Sequence, residues 1–385
     1  MKNTSPFTFD LSTRIIFGYN VENQLPKILD EFKFRYPIIV TDKGIREVGL
    51  IDNFIAYMKN SNISYEIFDE IEANPKDYNV DKGVEKILES KCDCLVAIGG
   101  GSPIDCAKAM AAVATIGGSA REYVDKEAID RNVMPLIAVP TTAGTGSEVT
   151  YGAVITDTEQ KLKYTIKGTT LAPKVALLDP KLTVSMPPPL TAATGMDALT
   201  HAIEAYTVRN AEPLSNAMAL HSIELISRYL RVAYNKGTDL DARTGMLLGS
   251  LMAGIAFSHS DVGAVHCIAE ALGGMYDIPH GVCNAVMLPT VMQYNLPFCK
   301  ERYARIATAM DIEWKNFENG AQKSVEAVKK LAKDLILPHF SSFGINPEDF
   351  SKLAVKAYEN GSNPSNPRPM STDDYEKILN ELQNS

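Results

Sequence analysis

Four side chains of this 385-residue chain have types and spacing that could hold a metal ion. Asp197 and His201 stand four residues apart in TGMDALTHAIEAY, residues 194–206, a run that reads as helix. That spacing puts a carboxylate and an imidazole on one helix face, a turn apart, and makes half of a donor set for a divalent metal. His266 follows in GAVHCIAE, residues 263–270, and His280 in DIPHGV, residues 277–282. Each has a plainer alternative: a helix-surface pair for Asp197 and His201, a core histidine bonded to backbone for His266, a turn position for His280. The conjunction favours the metal reading. Three of the chain's six histidines fall in segments dense with Ala, Gly and Leu, where an unpartnered ring is costly to bury. Three neutral imidazoles and one carboxylate suit Fe(II), Zn(II), Co(II) or Ni(II) and disfavour Ca or Mg. A site that keeps net positive charge favours the deprotonated form of an alcohol, from which hydride leaves.

A second chemical signal is LVAIGGGSPIDCAK, residues 95–108. Gly99, Gly100 and Gly101 remove side chains so that backbone N–H groups can approach a diphosphate, with Ser102 as N-cap and Pro103 as first helical residue. Asp105 completes the cap on this reading. A tight turn alone would also use glycines, and the order differs from the usual dinucleotide fingerprint, because the acidic candidate Asp42 precedes the glycines. PLIAVPTTAGTGSE, residues 135–148, is another strand running into a loop of short hydroxyls and glycines, able to donate to phosphate.

The elements that must position these groups fall into two kinds. Through residue 179 apolar strands alternate with helices: strand over 7–18, helix 21–32, strand 36–41 ending at Asp42, one helix through Met58, strand 64–68, helix 78–89, strand 94–98, then a hairpin over 152–166 and a strand at 175–179. The alternation predicts a mostly parallel sheet covered on both faces, with ligands at the strands' carboxyl ends. Asp42, Asn74 in the loop after a strand, and Gly99 to Ser102 all fall there. Pro187, Pro188 and Pro189 mark a boundary, Thr191 caps the next helix, and helical patterns then dominate, at 213–233, 241–257, 262–275, 284–294, 301–310, 321–335 and 347–358. The expected fold is thus an α/β dinucleotide-binding domain, residues 1–186, plus an all-α metal- and substrate-binding domain, residues 187–385.

Residues 194–206 and 263–281 resemble the two signatures of the iron-containing (group III) alcohol dehydrogenases, which include butanol, 1,3-propanediol, lactaldehyde and methanol dehydrogenases. The similarity runs from the first strand to about Asn366. It implies that Asp197, His201, His266 and His280 hold the metal, Fe(II) first and Zn(II) second. It also implies NAD as hydride carrier, with Thr141, Thr142, Thr145 and Ser147 lining it, Lys163 near the nicotinamide ribose and Leu182 at the edge of the cleft. Asp42, in YPIIVTDKG, is associated there with NAD over NADP, since a carboxylate accepts from a ribose diol and repels a 2'-phosphate; capping a helix is its plainer role. The second signature usually carries another histidine where this chain has Glu270, and SHSD, residues 258–261, also departs. His259 is therefore expected as proton shuttle, oriented by Asp261 or Glu270, although either acid could instead cap a helix or select against anionic substrates.

The resemblance implies interconversion of a small primary alcohol or diol and its aldehyde. Glycerol dehydrogenase, dehydroquinate synthase and a nonenzymatic scaffold on the same fold are the alternatives. The net charge of −9 argues against nucleic acid or an anionic membrane as partner. The longest apolar run, 246–257, is shorter than the ~18 residues of a spanning helix, and residues 1–6 lack the apolar core of a signal peptide. Six cysteines without CxxC spacing fit a reduced, cytoplasmic setting, with Cys267 and Cys283 as packing residues. A homodimer or higher homo-oligomer is expected.

Overall fold

The computed structural model describes residues 6–124 and 127–384; the expectation about a signal peptide falls mostly outside them. The strands and helices of the first half are β1 (Arg14–Phe17), α1 (Leu25–Glu31), β2 (Pro37–Val40), α2 (Lys43–Glu47), α3 (Asp52–Asn60), β3 (Glu66–Phe68), α4 (Asp77–Ser90), β4 (Cys94–Gly99), α5 (Gly101–Ile116), β5 (Leu136–Pro140), β6 (Gly152–Asp157), β7 (Leu162–Lys167) and β8 (Val175–Leu178). Six of the strands form a parallel sheet in the order β1-β8-β5-β4-β2-β3, and β6 and β7 pair antiparallel. Side chains alternate across the sheet, as period-two strands must. Ile38, Leu95 and Ala138 pack on one face with α4 and α5, while Ile39, Val96 and Ile137 pack on the other with α1 and α3.

From Pro188 onward the regular elements are helical: α6 (Pro188–Thr207), α7 (Pro213–Asn235), α8 (Leu240–Ser260), α9 (Ala264–Tyr276), α10 (His280–Ala309), α11 (Phe317–Asp334), α12 (Phe350–Glu359) and α13 (Thr372–Gln383). Their apolar faces share one core, in which α6 is almost wholly enclosed. No helix among the described residues is long and apolar enough to cross a membrane.

Several boundaries depart from the sequence reading. The first strand is only Arg14–Phe17, because its partner β8 offers four residues in register. The helix expected through Met58 is two, α2 and α3. Two helices expected at 284–294 and 301–310 are one, α10, which runs through Pro289 and Pro297; packing on α6, α9 and α11 outweighs the backbone bonds each proline removes. Thr191 is not the cap of α6. Pro187 is, with Pro188 at the first helical position, where a missing N–H is harmless and φ is preset. Thr191 instead accepts a bond from the fully buried Arg243, 3.0 Å away. Helix α13 was not anticipated.

The two halves meet where Gly146, in the loop after β5, lies against Gly254 of α8. A Cβ on Gly254 would sit 2.8 Å from Gly146 Cα, and one on Gly146 2.5 Å from Gly254 Cα. Gly146 also has φ +61°, a left-handed conformation that favours glycine. Gly254→Ala is expected to cost about 1–3 kcal/mol through overpacking and to displace the loop of residues 141–147. Urea unfolding measures the first effect; a raised KM for the dinucleotide measures the second.

Candidate metal centre and cofactor cleft

Three helices deliver the four metal candidates. Asp197 and His201 lie one turn apart on α6, His266 is on the first turn of α9, and His280 is the first residue of α10. One ligand atom from each lies within 4.8 Å of the others. Asp197, His201 and His266 are buried, and the His280 side chain is 26% exposed. His201 stacks on Phe257, with centroids 4.4 Å apart. Burial pushes His201 down to about 4 and His280 well below the usual range, so both rings hold open lone pairs at neutral pH. The buried Nδ1 atoms of His201 and His280 have no hydrogen-bond partner. A borderline dication fits this donor set, and residues 197, 201, 266 and 280 could hold one.

One contributor was missed in the sequence. Glu204 follows Asp197 and His201 at i+7 and i+3 on α6, and that helical spacing was the signal. Its carboxylate accepts from the backbone N–H of Gly263 and Val265 (2.9 and 2.8 Å) and faces His266 Nδ1 at 2.5 Å. Gly263 offers α9 no side-chain cap, so Glu204 caps that helix from α6. Burial alone would lower the His266 pKa, but the bond to Glu204 and the charges of Glu204 and Asp197 outweigh it and raise it. With Nδ1–H committed to Glu204, Nε2 carries the free lone pair.

A cleft of about 1140 Å³ opens beside these histidines. His201, His266 and His280 line one part of it, and Gly101, Ser102 and Thr145 another. Gly99 has φ +155° and ends β4. Helix α5 then begins at Gly101 with Gly100 as N-cap, two residues before the expected Ser102 and Pro103, because the turn itself supplies the extended residue a cap needs. Asp105 does not complete the cap. It accepts from Ser147 Oγ and from Val154 N (3.0 Å), tying the glycine turn to the loop of residues 141–147. Beneath lies Lys108, fully buried, whose Nζ donates to Ser147 Oγ, Thr150 Oγ1 and the Gly152 carbonyl; burial pushes it down to about 8.

The remaining cofactor candidates divide. Asn74 and Lys163 line the cleft; Lys163 Nζ donates to Asn74 Oδ1 at 2.7 Å, and Asn74 Nδ2 donates to Asp277 Oδ1 at 2.9 Å. Asp277 also takes Lys76 at 2.6 Å, so these residues tie the sheet half to the segment just before His280. Thr141, Thr142, Gly99, Gly100, Leu182 and Asp42 are not on the cleft wall. Thr141 Oγ1 is buried without a partner, Thr142 packs against Gly100, and Leu182 is in the core beneath β8. Asp42 caps α2, accepting from Ile45 N at 2.8 Å, and burial raises its pKa.

His259 and Glu270 both reach the cleft, but the expected orienting contact is absent. His259 stacks on Phe9 at 3.9 Å, with Nδ1 2.7 Å from the Ile255 carbonyl and Nε2 2.7 Å from that of Asp10. Asp261 instead accepts from Ser362 and Ser365, and Glu270 from Asn360 Nδ2. Both acids are held by the segment after α12, which the sequence reading left without a role. Cys267 and Cys283 are buried and free, their thiols pushed up by burial.

A family model described as iron-containing alcohol dehydrogenase matches residues 12–180, and one described as Fe-containing alcohol dehydrogenase family, C-terminal, matches residues 191–383. The 1,3-propanediol dehydrogenase of Klebsiella pneumoniae is 43% identical over 336 residues, covering 86% of this chain and 87% of its own. The NAD-dependent methanol dehydrogenase of Bacillus methanolicus is 36% identical over 367 residues, 94% of this chain and 96% of its own. A solved 1,3-propanediol oxidoreductase superposes with a TM-score of 0.95 at 39% identity, over 98% of this chain and 100% of that one.

Glu204→Gln keeps the shape of the side chain and removes its charge. Loss of a carboxylate that orients a ligating imidazole typically costs 10–100-fold in metal affinity, and a chelator competition on the variant should show a loss of that order.

Proposed function

The chain belongs to the iron-containing alcohol dehydrogenase family, and on that premise we propose how its own residues interconvert a small primary alcohol or diol and its aldehyde with NAD. The carrying observation is that a single cleft is lined in one part by Gly101 and Ser102 at the start of α5, with Thr145, and in another by three of the four metal candidates. When bound, a divalent metal of the iron type supplies positive charge that favours the deprotonated alcohol, and the nicotinamide takes or returns the hydride.

Residues 1–186 bind the dinucleotide in this proposal, and residues 187–385 hold metal and substrate. Backbone N–H groups of the glycine turn and the first turn of α5 receive the diphosphate, with Ser102 and Thr145 alongside. Asp105 and Lys108 fix that turn from below through Ser147. Lys163, half-buried on the cleft wall and held by Asn74, sets a positive group at the nicotinamide end. Asp42 keeps one carboxylate oxygen free of its cap bond, and that oxygen accepts from a ribose diol and disfavours a 2'-phosphate.

Asp197, His201, His266 and His280 hold the metal, and Phe257, Val262 and Ala271 supply apolar wall beside them that excludes water. His259 passes the alcohol's proton toward the rim, where Tyr151 and Asp10 meet its ring. Glu270, one turn beyond His266, disfavours anionic substrates. We further propose a cytoplasmic homo-oligomer; the free state of all six cysteines supports the reducing setting.

Anaerobically loaded with Fe(II), the enzyme should show NAD-dependent absorbance at 340 nm with short alcohols and diols, and lose it on chelation. Asp42→Gly should shift the NADP/NAD ratio of kcat/KM toward NADP; an unchanged ratio removes Asp42 from cofactor selection. His259→Gln should distort the pH–rate profile, and the relay is wrong if both His259→Gln and Glu270→His leave that profile intact.

A further inference from the structure

Asn284 lies one turn beyond His280 on α10 and is fully buried. Its Nδ2 is 2.6 Å from Asp197 Oδ1, 3.0 Å from His266 Nε2 and 3.1 Å from His280 Nε2. One amide nitrogen therefore faces three of the four metal candidates at once. Its Oδ1 is buried without a partner. The imbalance is informative, because an amide nitrogen has two hydrogens to share among three acceptors while the oxygen end goes unused. Turning the amide over would set its oxygen against a carboxylate oxygen and two imidazole lone pairs, so the surroundings dictate the orientation.

We propose that Asn284 is an internal stand-in for the metal. Resting on the reading of residues 197, 201, 266 and 280 as the metal's ligands, the inference assigns to Asn284 the stabilisation of the metal-free enzyme. Four acceptors converging at a mostly buried edge of the cleft repel one another when no cation is present, and burial of Asp197, His201 and His266 weakens the screening that water gives. The Asn284 amide offers three of them, Asp197, His266 and His280, N–H groups, without bringing a charge that would oppose a dication. The same contacts compete with the ion. A group that stabilises only the metal-free state lowers apparent metal affinity by the same factor, by linkage.

The linkage fixes the sign of the test. Asn284→Leu is nearly isosteric and removes both N–H donors. Full-length wild type and variant are stripped with a chelator, then titrated anaerobically with Fe(II), or with Zn(II), against a chromogenic chelator, and Tm is recorded with and without metal. Stripped Asn284→Leu should melt roughly 2–4 °C below stripped wild type, the loaded proteins should melt together, and the variant should bind metal about ten-fold more tightly, as expected for losing hydrogen bonds to a charged group.

Equal melting of the stripped proteins, or weaker metal binding by the variant, overturns the proposal; the latter would make Asn284 a support of the loaded site. If Asn284→Leu does not fold, Asn284→Ala must give the same signs. Asp197→Asn run in parallel separates the two levels. If wild type shows no metal-dependent Tm gain that Asp197→Asn removes, the metal reading fails and the stand-in with it. If that gain is present and Asn284→Leu changes neither quantity, only the stand-in fails.

Discussion

The structure depends on holding four electron-pair donors against one another inside a protein. Asp197, His201, His266 and His280 bring one ligand atom each within 4.8 Å of the rest, an arrangement that resists itself until a cation or a hydrogen-bond donor intervenes. Local helix geometry fixes only the Asp197–His201 spacing on α6. The four come from three helices, so their separation is otherwise set by how α6, α9 and α10 pack. The extensive apolar core around α6 thus has a chemical purpose: it opposes a small electrostatic repulsion at its edge with a large, non-directional attraction.

Helix ends supply the finer control. Glu204 satisfies the N–H groups that open α9 and takes the Nδ1 side of His266, so the act of capping a helix also selects an imidazole tautomer. His280 opens α10, where the backbone geometry is fixed by the first turn. On the other side of the cleft the same device recurs, with the start of α5 following the glycine turn and Asp105 and Lys108 anchoring it through Ser147. Both halves therefore present a helix start to the cleft, and the contacts Gly146–Gly254 and Asn74–Asp277 hold the starts in register.

Much of this was legible in the sequence. Continuous apolar runs such as residues 94–98 gave the strands, and the i, i+4 spacing of Asp197 and His201 gave the shared face. What escaped was of two physical kinds. Boundaries moved where tertiary pairing outvoted local preference, as in the four-residue β1, the proline-containing α10 and the proline start of α6. Supporting residues escaped because their partners are distant in sequence: Glu204 acts on residues 59 to 62 positions away, and Asp261 and Glu270 are claimed by Ser362, Ser365 and Asn360. The proposed orienting role for those two acids failed for that reason, since helix spacing reveals which side chains share a face but not which far loop arrives to engage them.

Charge accounting over the buried unit ties the parts together. Two carboxylates, Asp197 and Glu204, serve three imidazoles at the buried edge of the cleft, and Glu204 accepts three N–H bonds. A dication brings that unit to electrical neutrality, whereas a trication leaves an uncompensated charge in a medium where such a charge is costly. Glu204, placed one step back behind His266, would offset part of a bound dication's charge without being one of the four candidate ligands.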